Sequence, residues 1–179
     1  MRALALAAGV GFAVAFLGGP AVIALLRRRG MGQRVRSQGP WRHRGKAGTP
    51  TMGGVVFLAG GVAGALLASS RTLPLAVVVV VTLGFGLVGF LDDYLKVALN
   101  RPVGLRARYK LAPQVALGLF LSWVVLGPLG SDASVSVPFW GARLDMGPLY
   151  VGFVLLVLLG ASNAVNITDG LDGLAAGLA

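Results

Sequence analysis

Five long stretches without a charged side chain dominate this sequence and limit the folds it can adopt. They cover residues 3–26, 47–70, 72–91, 111–131 and 146–168. Each is close to the roughly 20 apolar residues that a helix needs to cross a bilayer. Because backbone groups in lipid must satisfy one another's hydrogen bonds, helices are expected for such segments. We therefore predict an all-α polytopic membrane protein with five transmembrane helices, forming one integral membrane domain over residues 1–179.

Composition supports the membrane class. Hydrophobic residues make up 56% of the chain and charged residues only 12%, which is unlike a soluble domain.

A cleavable signal peptide is the alternative for the first stretch. We keep a helix there, because 24 uncharged residues exceed a typical signal core and only Arg2 precedes them. The chain has no cysteine, so disulfides and thiolate metal sites are excluded.

The net charge of +10 is distributed unevenly along the chain. Eight of the 16 cations lie in 27–46 and five lie in 96–110, whereas Arg2, Arg71 and Arg143 occupy the alternate loops. The positive-inside rule then predicts an N-terminus outside the cell and both basic loops in the cytoplasm. This segregation accounts for the charge, and we expect no nucleic-acid partner.

All six carboxylates are aspartates, and four of them form two clusters at the ends of apolar stretches. In the first cluster, Asp92 and Asp93 lie four and three residues before Lys96, so helical spacing brings all three side chains together. The structural alternative is an interfacial ion pair worth under about 1 kcal/mol. Adjacent carboxylates at the negative end of a helix dipole are disfavoured. We therefore favour metal or phosphate chemistry, because Lys96 balances one of the charges and a divalent metal bound through oxygen ligands would balance the other.

The second cluster follows the fifth stretch and is a candidate ligand-holding corner. Its polar residues recur every third position, as Asn163, Asn166, Asp169 and Asp172. On a straight helix they would drift about 60° per step and would not converge. Gly170 and Gly173 permit a break that turns them toward one space.

Three further segments carry weaker signals. Lys46 precedes Thr49, Thr51 and the glycines of the segment that ends at Gly54, which offers hydroxyl and N–H donors to phosphate, although a helix start is the alternative. Lys110 and Gln114 are one helical turn apart, and phosphate binding there is balanced against a solvated basic helix end. Residues 132–148 are expected outside, and the alternating polarity of Ser134–Asp145 within them predicts a short extracytoplasmic β-hairpin between helices 4 and 5.

By topology, four motifs reach the cytoplasmic face: Lys46–Gly54, Asp92–Lys96, Gly104–Lys110 with Gln114, and Asn163–Leu174. In this order they resemble those of the phospho-N-acetylmuramoyl-pentapeptide transferases (MraY), in the polyprenyl-phosphate N-acetylhexosamine-1-phosphate transferase superfamily. One departure is Gln38, where the family often has Asp. The resemblance covers nearly the whole chain but only about the first half of the family.

The resemblance implies a bacterial inner-membrane enzyme that requires Mg²⁺, and on this basis Asp92, Asp93 and Asp169 are the expected metal ligands. Such an enzyme moves phospho-MurNAc-pentapeptide from UDP-MurNAc-pentapeptide to undecaprenyl phosphate, giving lipid I and UMP. On this basis Asp92, Asp93 and Lys96 are the expected catalytic residues. The expected substrate-binding residues are Lys46, Thr51, Lys110, Gln114, Asn163, Asn166, Asp169 and Asp172. The expected partners are the two substrates and membrane lipid, with a homodimer as the assembly.

Several alternatives stay open at this stage. A related transferase for another UDP-linked N-acetylhexosamine would share the aspartate motifs, and a non-enzymatic ion-conducting or scaffold bundle is the rival from another class. Direct attack by the lipid phosphate is favoured over a covalent intermediate. The chain stops a few residues into the start of a sixth helix, Gly173–Ala179. We therefore expect an N-terminal part of a longer fold, whose further Asp and His-rich loop the resemblance places downstream.

Overall fold

The computed structural model describes residues 2–30, 52–68, 70, 72–99, 101, 104–139 and 141–168. Its elements are α1 (Arg2–Arg28), α2 (Gly54–Ala68), α3 (Leu73–Val97), α4 (Ala107–Leu126), β1 (Ser134–Ser136), β2 (Arg143–Asp145) and α5 (Leu149–Thr168). The predicted start of a sixth helix lies outside the described residues.

Four of the helices in the described part of the chain, α1, α3, α4 and α5, are long and apolar enough to cross a membrane. The prediction of a mostly helical membrane protein is confirmed. The remaining helix, α2, has 15 residues and a length of about 22 Å, below the roughly 30 Å of a hydrocarbon core. A fifth span at α2 stays a prediction.

Contacts divide the chain into two units, of which the first is Met1–Lys110. Within it α1 and α2 run antiparallel with their backbones almost touching. A Cβ on Gly60 would lie 2.7 Å from the carbonyl oxygen of Gly11, and one on Gly64 would lie 2.5 Å from that of Ala7. Small residues at a helix interface allow this approach, which is the usual way that membrane helices gain packing contacts in lipid.

In the same unit α3 follows α2 as its antiparallel neighbour, with Leu58 of α2 filling the space beside Gly86 of α3. The buried residues of α3 are Val77, Val81, Val88 and Asp92. Their spacings of four, seven and four place them on one face of a helix with 3.6 residues per turn. Asp92 therefore continues an apolar stripe, which explains how a carboxylate comes to be buried at this helix end.

The second unit is Leu111–Ala179, and it contains the contact between α4 and α5. A Cβ on Gly118 of α4 would lie 2.6 Å from a methyl carbon of Leu155 in α5, so the two helices touch there. Further along, Gln114 of α4 bonds Ser162 of α5. Because the earlier residue of α4 meets the later residue of α5, the helices are antiparallel.

Between α4 and α5, strands β1 and β2 pair antiparallel. The register sets Ser134 against Asp145, Val135 against Leu144 and Ser136 against Arg143. These strands fall in the segment whose alternating pattern predicted them. The side of the membrane on which they lie stays a prediction.

Candidate functional site at the end of α3

Two adjacent carboxylates at the end of α3 have different environments. Asp92 is only 4% exposed, because it lies on the buried face of the helix. Asp93 is the next residue and is rotated about 100° around the helix axis. Its side chain is 41% exposed. A ligand arriving from solvent therefore meets Asp93 before it meets Asp92.

Lys96 links the two carboxylates. Its Nζ lies 2.5 Å from Oδ2 of Asp92 and 3.6 Å from Oδ1 of Asp93. The predicted meeting of these three side chains is confirmed. The lysine ammonium therefore offsets both carboxylates, while its side chain keeps 36% of its surface exposed.

The chain after α3 turns back over Asp92. The backbone N–H of Arg101 donates to the carbonyl of Leu95 at 3.0 Å, and that of Gly104 donates to the carbonyl of Arg101 at 2.9 Å. This path brings the N–H of Leu105 to 2.8 Å from Oδ1 of Asp92. Sequence reasoning missed Leu105, because its contribution is a backbone group.

Gly104 is the residue that permits this contact. Its φ is +64°, in the left-handed region that residues other than glycine rarely adopt. A Cβ there would collide with Oδ1 of Asp92 and lie 2.8 Å from Cε of Lys96. The turn thus depends on glycine for its backbone conformation and for its close approach. The glycine was the one signal in the sequence that pointed to a tight contact here.

Both oxygens of Asp92 are engaged, Oδ1 by the Leu105 N–H and Oδ2 by Lys96. In the described part of the chain, no three His, Cys, Asp or Glu side chains meet to hold a metal. Asp93 is the more exposed carboxylate. Mg²⁺ in phosphoryl-transfer sites commonly uses one or two carboxylates together with substrate phosphates and water. The exposed carboxylate of Asp93 is therefore the group in this cluster that could bind Mg²⁺ from solvent, and the buried carboxylate of Asp92 lies next to it.

On α4, Lys110 and Gln114 both lie within the helix, one turn apart as expected. Gln114 is buried, with Nε2 donating to Oγ of Ser162 at 2.9 Å. Ser162 was not among the predicted site residues. On α5, Asn163 donates from Nδ2 to the carbonyl of Leu159 in its own helix at 2.8 Å, whereas the side chain of Asn166 is exposed.

Four predicted residues, Lys46, Thr51, Asp169 and Asp172, lie outside the described residues. The convergence of the four motifs on one site accordingly stays a prediction. Within the first unit the structure brings together Asp92, Asp93 and Lys96.

Fold and cluster together define an integral membrane protein that carries two carboxylates and an ammonium at the end of an apolar helix. Comparison with protein families narrows this class. The family model of glycosyl transferase family 4 matches residues 75–179, more than half of the chain. The chain therefore belongs to glycosyl transferase family 4. A second match, to signature 1 of the phospho-N-acetylmuramoyl-pentapeptide-transferases, covers residues 46–58.

Curated relatives agree with the signature, and all three described below bear the name phospho-N-acetylmuramoyl-pentapeptide-transferase. The protein of Desulfitobacterium hafniense is 47% identical over 96% of this chain and 52% of its own length. Those of Pelotomaculum thermopropionicum and Desulforamulus reducens are 48% and 49% identical, over 94% and 96% of this chain and 54% and 53% of their own lengths. The chain spans about half the length of the curated relatives it matches. The resemblance recognised in the sequence is confirmed.

Proposed function

We propose that this chain takes part in transferring phospho-MurNAc-pentapeptide from UDP-MurNAc-pentapeptide to undecaprenyl phosphate, giving lipid I and UMP for peptidoglycan synthesis. The observation that carries the proposal is the cluster of Asp92, Asp93 and Lys96 in a chain of this family. A carboxylate pair held beside an ammonium at the end of a membrane helix suits a reaction between two phosphate-bearing substrates, one of which is a lipid.

The proposed chemistry is one phosphoryl transfer by direct attack. An oxygen of the lipid phosphate forms a bond to the sugar-linked phosphorus of the UDP substrate. The bond from that phosphorus to the bridging oxygen breaks, and the bridging oxygen leaves with UMP. A phosphate monoester has a second pKa of about 6, so the lipid phosphate is mostly dianionic at neutral pH. Direct attack therefore needs no strong base and no covalent intermediate on an aspartate.

Electrostatic stabilisation is then the main task of the protein, as in other phosphoryl transfers. Lys96 presents its partly exposed ammonium to the phosphate oxygens. Asp92 holds that ammonium in place through Oδ2, and its Oδ1 is fixed by the Leu105 N–H. Asp93 provides the accessible carboxylate that would hold Mg²⁺. When bound, Mg²⁺ supplies positive charge to the phosphate groups during transfer.

The finer assignments belong to the same proposal. Substrate contacts fall to Lys46, Thr51, Lys110, Asn163, Asn166, Asp169 and Asp172, and Asp169 joins the metal ligands. Gln114 was also expected to bind substrate, but its buried amide is bonded to Ser162, so we infer an indirect role for it. The protein crosses the bacterial inner membrane five times in this chain, with α2 as the fifth span, the N-terminus outside and the site facing the cytoplasm. The hairpin β1–β2 then lies outside. Residues 1–179 form one membrane domain, and the assembly is a homodimer.

The test is an exchange assay with labelled UMP in membranes or detergent. The protein is expressed with any sequence that adjoins this chain in its gene. We expect label to enter UDP-MurNAc-pentapeptide in the presence of Mg²⁺ and to stop doing so after chelation. Incorporation into UDP-GlcNAc instead would assign the protein to the related transferases. Ion flux through liposomes without any UMP exchange would contradict the proposal.

A further inference from the structure

The contact between α4 and α5 contains a buried amide whose purpose packing does not explain. The buried residues of α4 are Gln114, Gly118, Ser122 and Val124, and the first three recur every four residues along one side of the helix. Gln114 is only 1% exposed, and its Nε2 donates to Oγ of Ser162 on α5 at 2.9 Å. The two residues are 48 positions apart in the chain, so this bond ties together helices that are distant in sequence.

One turn further along α4, the helices are in direct contact. Gly118 leaves no room for a Cβ, since that atom would lie 2.6 Å from Leu155. Close packing on one side confines the amide of Gln114 to the space in front of Ser162. The glycine contact sets how near the two helices lie. Apolar packing of this kind restrains rotation and sliding of a helix only weakly, whereas a hydrogen bond is directional.

Burial of this amide also costs free energy of folding. Its Oε1 is buried and has no hydrogen-bond partner in the described part of the chain. A buried polar atom without a partner is unfavourable, and replacing both members of a bonded pair by apolar groups is close to neutral. Replacing the pair by Gln114→Leu and Ser162→Ala would therefore change the stability little. What the amide adds to this helix pair is its directional bond to Ser162.

The rotation of α5 about its axis determines where the residues that follow Ser162 are placed. Asn163 is the next residue, and Asn166 lies one helical turn further along the face that carries Ser162. The side chain of Asn166 is exposed, and that of Asn163 is bonded to its own helix. Rotation of α5 by a fraction of a turn would move Asn166 by several ångströms.

We propose that Gln114 is a positioning residue, which acts through Ser162 to fix the rotation and axial position of α5 and thereby the placement of Asn163 and Asn166. Gln114 does not itself contact substrate. The assignment deepens the proposed function and rests on it, because Asn163 and Asn166 are proposed there as substrate contacts. The two members of the pair act as one unit, so removing either breaks the same bond.

Kinetics provide the first test, on the protein expressed with any adjoining sequence. In the UMP exchange assay, Gln114→Leu and Ser162→Ala should each raise KM for the UDP substrate by about 3- to 20-fold, the range expected for a hydrogen bond between membrane helices. The value of kcat should change little. The double variant should resemble either single variant and unfold at a temperature no lower than the unsubstituted protein. Additive effects in the double variant would overturn the proposal.

Ser122→Ala is the matched control. Ser122 is buried on the same face of α4, but its hydroxyl donates to the carbonyl of Gly118 in its own helix at 2.9 Å. This variant should keep the unsubstituted KM. A rise in KM equal to that of Gln114→Leu would mean that loss of any buried hydroxyl or amide has the same effect, and would refute a positioning role.

A measurement that needs no activity separates this inference from the proposed function. Spin labels can be attached at Leu119→Cys on α4 and Leu156→Cys on α5, both exposed positions, because these 179 residues contain no cysteine and any cysteine in adjoining sequence is first replaced by serine. We expect a narrow distance distribution that broadens or shifts in Gln114→Leu and not in Ser122→Ala. An unchanged distribution in Gln114→Leu overturns the inference. The expected broadening in a protein without UMP exchange supports the inference and contradicts only the proposed function.

Discussion

Replacing Gly104 by alanine should detach the turn that covers Asp92. Two costs combine at this position. A residue other than glycine in the left-handed region costs about 1–2 kcal/mol. The Cβ would also occupy the space of the Asp92 carboxylate and Lys96, so the N–H of Leu105 loses a hydrogen bond to a charged acceptor, worth roughly 1.5–3 kcal/mol.

Hydrogen–deuterium exchange at the Leu105 amide measures this loss directly. The second cost alone corresponds to a roughly 10- to 150-fold shift toward the open turn, and exchange should accelerate by a similar factor. UMP exchange should fall as well, because Asp92 is no longer held from one side. Unchanged protection of Leu105 in Gly104→Ala would refute the role assigned to the turn.

Gly130→Ala is the control for backbone strain alone. Gly130 has a φ of +60°, nearly that of Gly104, and an added Cβ there would meet no atom within 4 Å. It follows α4 and has no place in the proposed chemistry. This variant should show the strain cost in its unfolding temperature while Leu105 keeps its protection. Faster exchange of the Leu105 amide in Gly130→Ala would mean that backbone strain elsewhere in the protein is enough to open the turn, and the contact at Gly104 would then not be its cause.

Three other predictions concern charge, topology and packing. Asp93→Asn should leave the fold intact and reduce UMP exchange severely, because a neutral amide holds Mg²⁺ weakly; near-normal turnover would remove Asp93 from the site. Cysteines at Ser37 and Ser134 should react with impermeant reagents from the cytoplasm and from outside respectively, and reversed labelling would contradict the topology. Gly64→Val should destabilise the α1–α2 contact by about 1–3 kcal/mol in thermal unfolding. Gly61→Val, with no atom within 4 Å of an added Cβ, should not.

The features that the sequence predicted correctly, the helices and the cluster at the end of α3, follow from local geometry. Uncharged apolar stretches of about 20 residues form helices in lipid, because a helix satisfies its own backbone hydrogen bonds, so four of the expected helices follow from hydropathy. The meeting of Lys96 with Asp92 and Asp93 follows from helical spacing alone. The start of α2 did not follow, since the uncharged stretch begins at 47 and the helix at Gly54. Met52 has a φ of +69°, and a left-handed residue interrupts a helix.

Contacts between distant segments were beyond the sequence. Ser162 meets Gln114 only because Gly118 lets α5 approach, and neither polar residue reveals its partner by spacing. A usable signal did exist, since Gln114, Gly118 and Ser122 recur every four residues, and small or polar residues at that spacing are typical of a helix interface in membranes. The Leu105 amide gave no such signal, because every residue except proline has one.

The buried stripe on α3 fixes both the distance of Asp92 along the helix and its angular position around the helix axis. Eleven residues separate Val81 from Asp92, a rise of about 16 Å. Inserting one residue between Val88 and Asp92 would lengthen the helix by only about 1.5 Å but would rotate everything beyond it by about 100°. The insertion would then swing the Asp92 carboxylate off the buried face and bring its predecessor, Leu91, toward it. An insertion or deletion in the last turns of α3 would therefore change which side chain faces the protein, although it alters the length of the helix by only one residue.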